Sequence, residues 1–302
     1  MPVLAVNHHY FRDKTTGQGI YPITPDALTL QVERIRQKWR FATEQDVIDY
    51  SEGRLSDEDN ACVLTFDDGL KEQIEAVHLL EKLDARAICF VATSPITEKK
   101  MLDVHKLHMI RSHRNDEELA VGLDKYFGFS NYIFDESLLA NQYRYDSLIS
   151  RKVKYFLNFV LDGIQRDQWV DKQFEQDFGS EVSACEDLYM NRDDLKLLAK
   201  KELLGTHSHR HLPLATLTPH EIKSEIANSL DILTELTSGH CISGISYPYG
   251  GKSAVSQVLF DTAHSFGLRY GFTMERGINV GPSNNPLALK RIDTNDVKEW
   301  VL

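Results

Sequence analysis

The sequence predicts an α/β fold on a parallel sheet, with a barrel as the natural closure. Three observations predict it. First, a strand, a helix and a strand follow one another between residues 61 and 92, the pattern of a βαβ unit with a right-handed crossover. Second, short apolar runs alternate with helix-periodic segments along most of the remaining chain. Third, four of the apolar runs end abruptly in polar residues: His8 and His9, Asp67 and Asp68, His207 and His211, Tyr247 and Tyr249. Strand ends of a parallel barrel gather on one face, where ligands bind.

Each element has a local reason. Residues 3–6 (VLAV) read as a buried strand. Thr24-Pro25 opens a helix with proline at its first position, and Leu28, Leu30, Val32, Ile35 and Trp39 give it an apolar side. A short helix is expected at 44–50. Residues 61–66 are a buried strand ending in Asp67-Asp68-Gly69; residues 71–83 carry apolar side chains at near-3.6 spacing, and 85–92 (ARAICFVA) form the next strand.

Residues 98–187 differ, being rich in charge and aromatics. Their periodic pieces, 102–110, 148–161 and 168–178, are helical, so this stretch is expected as a helical insertion in a single domain spanning 1–302. Asn191 is placed to cap a helix over 191–201. Residues 203–205 lead into Thr206-His207-Ser208-His209-Arg210-His211, and Thr218-Pro219-His220-Glu221 has the spacing of a capping box for a helix running to about 236. Residues 242–247 form a strand, 253–266 a helix ended by Gly267, and 270–273 and 287–292 the last two strands.

Composition narrows the function. The chain has 302 residues, 42% of them hydrophobic, and a net charge of -11 with no lysine- or arginine-rich run. Binding to nucleic acid or an anionic membrane face is not expected, because phosphate contacts need clustered cations. No run reaches the length of a membrane span, and the first ten residues lack the parts of a signal peptide. The four cysteines are far apart and suit a reducing compartment. A cytoplasmic protein is expected.

His207 and His211 are four residues apart and can share one metal, to which Asp68 or Asp67 would add a carboxylate oxygen. Two imidazoles and a carboxylate with open positions suit a catalytic Zn²⁺. The same set serves non-haem Fe(II) oxygenases, but those are expected on all-β folds and this chain is α/β. Taken singly, each histidine suits a surface loop and the Asp-Asp-Gly a solvated turn. Their placement at converging strand ends favours the metal.

These residues resemble the motifs of the polysaccharide deacetylase superfamily, metal-dependent carbohydrate esterases. Thr65-Phe66-Asp67-Asp68-Gly69 is similar to its first motif, His207-Ser208-His209-Arg210-His211 to its second and Ser246-Tyr247-Pro248-Tyr249-Gly250 to its third. The resemblance implies a distorted (β/α) barrel that removes an acetyl group from an N-acetylated sugar, in a polysaccharide or its precursor. It implies Asp68, His207 and His211 as metal ligands, Asp67 as general base and the Tyr249 backbone N–H as an oxyanion donor. The sequence departs from the family twice. Ser246 stands where an arginine commonly pairs with the base, and Arg291 is positioned to supply that charge instead. The carboxyl-terminal histidine acid is missing, since no histidine follows His264. One branch, resembling the poly-N-acetylglucosamine deacetylases, carries that histidine on an amino-terminal strand. On that pattern His8 is the expected acid, with His9 second. Two other functions fit the fold: a deformylase or non-sugar amide hydrolase, and a non-catalytic carbohydrate-binding protein.

Overall fold

The computed structural model describes residues 2–14, 20–54, 60–281 and 285–301. They divide into two compact units, one from within 1–14, 22–100 and 182–302, the other from within 15–21 and 101–181.

In the first unit β1 (Pro2–His8) is followed by α1 (Pro25–Arg36), whose N-cap Thr24 accepts the Ala27 N–H. Next come β2 (Arg40–Phe41), α2 (Glu44–Ser51), β3 (Ala61–Phe66), α3 (Gln73–Lys82), β4 (Ala87–Val91) and α4 (Ser94–Glu98). Within the described residues of the second unit every regular element is helical: α5 (Asp103–His113), α6 (Asp116–Phe127), α7 (Glu136–Gln142), α8 (Leu148–Tyr155), which runs into one π turn at Phe156–Val160, and α9 (Gly163–Phe178). Its interior is aromatic, with Phe129 edge-on to Phe156, and holds the two-pronged pair of Arg111 and Asp116 at 2.6 and 2.7 Å.

The chain continues through α10 (Glu181–Leu188), α11 (Arg192–Lys200), β5 (Leu204–Thr206), α12 (Pro219–Leu236), β6 (Gly244–Ser246), α13 (Gln257–Ser265), β7 (Tyr270–Phe272), β8 (Asn279–Val280), β9 (Ile292–Asp293) and α14 (Val297–Val301). Both expected caps form as reciprocal boxes, Asn191 with Asp194 and Thr218 with Glu221.

The strands lie in the order β7-β6-β5-β4-β3-β1-β8, with β2 beside β3 and β9 beside β1. All pairings but β1 with β8 are parallel. The sheet curls into an incomplete, distorted (β/α) barrel, the expected fold class.

The two faces of the strands divide the core. Leu4, Val6, Cys62, Leu64, Phe66, Cys89 and Val91 pack outward against α1, α3, α11 and α12. Val3, Ala5, Ala61, Val63, Ile88, Phe90 and Phe272 pack inward, together with Val47, Ile48 and Tyr50 of α2. This two-residue alternation decides which side chain at each strand end enters the barrel.

Three expectations change. Residues 287–292 are not one strand: after a 3₁₀ turn (Pro286–Ala288) Leu289 makes a single bridge to Phe272, the Lys290 N–H then goes to Asn279 Oδ1 and the Arg291 N–H to the Glu275 carbonyl, and β9 starts only at Ile292. The helix expected at 148–161 forms, but its last turn, Phe156–Val160, widens into the π turn. Trp39 is buried, but α1 has ended at Arg36.

Candidate metal centre and active site

Asp67 and His207 continue the inward phase of β3 and β5, and turns just beyond strand ends bring the other site residues to them. In β3, Thr65 and Asp67 fall in phase with Ala61 and Val63. Asp68 would by alternation point outward. The backbone leaves the strand there, with φ 84°, and the Asp68 carboxylate reaches the same side as Asp67. Gly69 completes the reversal at φ 77°, where a Cβ would lie 2.7 Å from the Val91 side chain. In β5, Gly205 makes room for the Phe90 ring, which a Cβ would meet at 2.4 Å, and His207 follows with its N–H donating to the Val91 carbonyl at 2.9 Å.

Asp68 Oδ1 lies 3.4 Å from His207 Nε2 and 3.3 Å from His211 Nε2. The three ligand atoms all fall within 4.8 Å of one another, and all three residues are buried. His207 Nδ1–H donates to the Ser246 carbonyl at 2.7 Å, so its Nε2 presents a lone pair, as a metal ligand must. This donor set fits a divalent metal: neutral nitrogen and anionic oxygen in one cradle. Asp68, Ser208, His211 and Tyr249 all have positive φ, between 58° and 84°. Left-handed backbone at non-glycine residues is uncommon and clusters at functional sites.

The loop that holds the two histidines is braced from outside. His209 points away from the cluster, bonding Thr93 Oγ1 and Glu98 Oε1 at 2.8 Å each. The buried carboxylate of Glu225, on α12, takes both the N–H and the Nε–H of Arg210.

Asp67 is clamped. Arg291 donates to its Oδ1 at 3.0 Å and its Oδ2 at 2.8 Å, and the Ser246 hydroxyl donates to Oδ2 at 2.9 Å while accepting from Arg291 at 2.8 Å. Asn7 Oδ1 and Thr65 Oγ1 accept from the same guanidinium, and its Nε donates to the Thr273 carbonyl. Arg291 is fully buried, over the Phe272 ring. Burial alone would raise the Asp67 carboxyl, but Arg291, His207 and His9 outweigh it and hold it below the usual range. Burial would likewise lower His207; the carboxylates of Asp67 and Asp68 reverse that and raise it.

Tyr249 sits in the turn after β6, its ring 5.1 Å from that of His211. His8 is not brought to the site. It shares the outward phase of Leu4 and Val6, stacks on Phe66 at 4.9 Å, and its ring nitrogens face Thr65 O at 3.0 Å and Gln31 Oε1 at 2.7 Å. Burial lowers its pKa. His9, one residue beyond the strand, is half-buried and close enough to Asp67 to act on its charge. Asn7, Thr65 and Ser246 were not expected as partners of the Asp67–Arg291 pair, although Asn7 and Thr65 share the phase of Asp67.

A family model described as polysaccharide deacetylase matches residues 166–271, which include the two-histidine loop, β5, β6 and the start of β7. The match covers about a third of the chain, and over that stretch the chain is similar to the polysaccharide deacetylase family. None of the curated proteins matches the sequence. Among solved structures, the chain is similar to IcaB from Ammonifex degensii (TM-score 0.61, 15% identity, covering 99% of this chain and 95% of that one). It is similar to the deacetylase PplD of Streptococcus pyogenes, with TM-score 0.60, 15% identity and coverage of 100% and 99%. A de-N-acetylase from Aggregatibacter actinomycetemcomitans gives 0.60 at 13% identity, with both chains covered completely. At these identities the likeness is one of fold, and it extends over the whole chain. No helix among the described residues is long and apolar enough to cross a membrane.

Proposed function

We propose that this protein is a metal-dependent hydrolase that removes the N-acetyl group from an N-acetylated sugar, in a polysaccharide or its precursor. The observation that carries the reading is the meeting of Asp68, His207 and His211 beside a second carboxylate, Asp67, held by a buried arginine. Two imidazoles and one carboxylate suit Zn²⁺. Such an ion supplies a Lewis acid for the amide carbonyl and acidifies bound water.

The chain's own groups do the rest. Asp67 takes a proton as general base, and the Arg291 and Ser246 contacts keep it ionised and aimed. The Tyr249 backbone N–H is the proposed oxyanion donor, a kind of contact whose loss typically costs about 3 kcal/mol of barrier. His9, in place of His8, is the proposed acid for the leaving amine, since its side chain lies on the Asp67 side and is not locked into the wall. A non-catalytic binding protein would draw its support from Ser246 standing in the arginine's place; Arg291 fills that role from another strand. The reading treats 1–302 as one deacetylase-like domain that carries 98–187 as an insertion.

The test is acetate release from a panel of N-acetylated sugars and cytoplasmic precursors, with and without chelator. Release that chelator abolishes and Zn²⁺ restores is expected. Formate from N-formyl substrates without acetate from N-acetyl ones would move the assignment to a deformylase, and no amide hydrolysis by metal-loaded protein would sink it.

A further inference from the structure

The β1–β3 ladder reaches its last rung where the Asp67 N–H donates to the His8 carbonyl at 3.0 Å. Beyond that rung the two strand ends part, one carrying His9 and the other Asp67. Gln73, the first residue of α3 and fully buried, spans them. Its Nε2 donates to the His9 carbonyl at 2.9 Å and to the Asp67 carbonyl at 2.6 Å. Both neighbours can only accept, so the orientation of the amide is fixed. The other end of that amide is then orphaned: Oε1 is buried and has no hydrogen-bond partner among the described residues. A buried unsatisfied acceptor costs about 1–3 kcal/mol, and an apolar side chain of the same length would avoid the loss. The glutamine is there for its two donors.

The preceding residue strengthens the pattern. Glu72 accepts the Phe11 N–H at 2.9 Å and the Arg12 Nε–H at 2.5 Å. Three contacts from Glu72 and Gln73 therefore hold the His9–Arg12 segment onto the turn that follows Asp67-Asp68. That turn can start α3 so close to the strand ends because Gly69 reverses the chain.

We infer that Gln73 is a positioning residue that sets the separation of the base Asp67 from the acid His9. The inference rests on the proposed deacetylase reading and deepens it. It makes a distinctive claim: loss of the fork should damage protonation of the leaving group more than activation of water. An N-acetyl amide needs its amine protonated on departure, whereas an aryl acetate such as 4-nitrophenyl acetate leaves as a phenolate and does not.

The experiment compares Gln73→Met and Gln73→Glu, each alone and with His9→Ala, on both substrates with the zinc-loaded protein. A general acid contributes about 10²–10⁴-fold, and a misplacement near 1 Å can remove about 10²-fold. Gln73→Met is expected to lower kcat on the amide by about 10- to 100-fold with KM and zinc content unchanged. Its chelator-sensitive aryl acetate turnover should fall by less than about 3-fold, since the acid is not used there. In the His9→Ala background Gln73→Met should add less than about 2-fold, because both changes remove one function. Gln73→Glu keeps the length and, protonated in this buried place, keeps one donor at most, so its amide turnover should fall between the parent and Gln73→Met, and it serves if the methionine variant folds poorly. Equal losses on amide and ester, or multiplied losses in the double variant, would overturn the positioning role while leaving the deacetylase reading intact. Undiminished amide turnover in His9→Ala alone would remove the acid assignment, and this inference with it.

Discussion

Arg291→Met isolates the electrostatic arrangement on which the base depends. The guanidinium makes six hydrogen bonds to five residues, two of them to Asp67. Its removal leaves a carboxylate 3% exposed with the Ser246 hydroxyl as its remaining side-chain donor. For unit charges about 4 Å apart at an effective dielectric near 20 the attraction is about 4 kcal/mol. Breaking a buried pair from one side costs about 3–5 kcal/mol, and this is the expected loss in a denaturant titration with chelator present. The sign of the pH dependence also changes. In the native protein the Asp67 carboxyl is held low, so its contribution is present above the unfolded carboxyl pKa and is lost as pH falls through the folded value. With methionine at 291, burial is no longer opposed by the guanidinium. The folded pKa then rises, and stability falls as pH climbs from the unfolded to the folded value. Asp67→Asn in the same chain removes the stranded charge, so the double variant should be more stable than Arg291→Met alone by roughly 1–3 kcal/mol, the size of a direct coupling. Additive losses, or an Arg291→Met protein as stable as the parent, would falsify this account of the pair.

His8→Ala should lower stability by about 2–4 kcal/mol, since it opens a cavity beneath Phe66 and removes the ring's polar contacts with Gln31 and Thr65, yet leave kcat within a few-fold; a collapse of kcat in a stable variant would return the acid role to His8. Glu44, half-buried and bonded by the Tyr270 hydroxyl, is raised to about 7, chiefly by burial. Its protonated form is favoured by folding, so its effect on stability is fully retained below about pH 4.5 and lost as pH rises to about 7, a change of about 3 kcal/mol at 1.36 kcal/mol per unit. Glu44→Gln should flatten that part of the stability curve, and an unchanged slope would place the titration elsewhere.

The motif residues were readable from the sequence because each sits at the end of an apolar run, where a short-range pattern marks the rim of a sheet. Arg291 was reachable only by asking what replaces the arginine that Ser246 displaces. The strand period separates His8 from His9. Leu4 and Val6 are outward-facing residues of β1, and counting by two puts His8 with them and Asn7 with Asp67. The Asp68 carboxylate lies outside that count, since its direction is set by a left-handed backbone turn. Two-residue strands such as β2 and β8 show no periodicity and were missed. In the insertion α6 was missed too, although Asn115 and Glu118 form a capping box at its start.

Metal stoichiometry in two neighbouring variants puts the whole assignment at risk. Elemental analysis of zinc-loaded protein should find about one equivalent in Asp67→Asn, which keeps the three ligands, and almost none in Asp68→Ala, which does not. A full complement in Asp68→Ala, or loss of metal from Asp67→Asn in a folded protein, would contradict it.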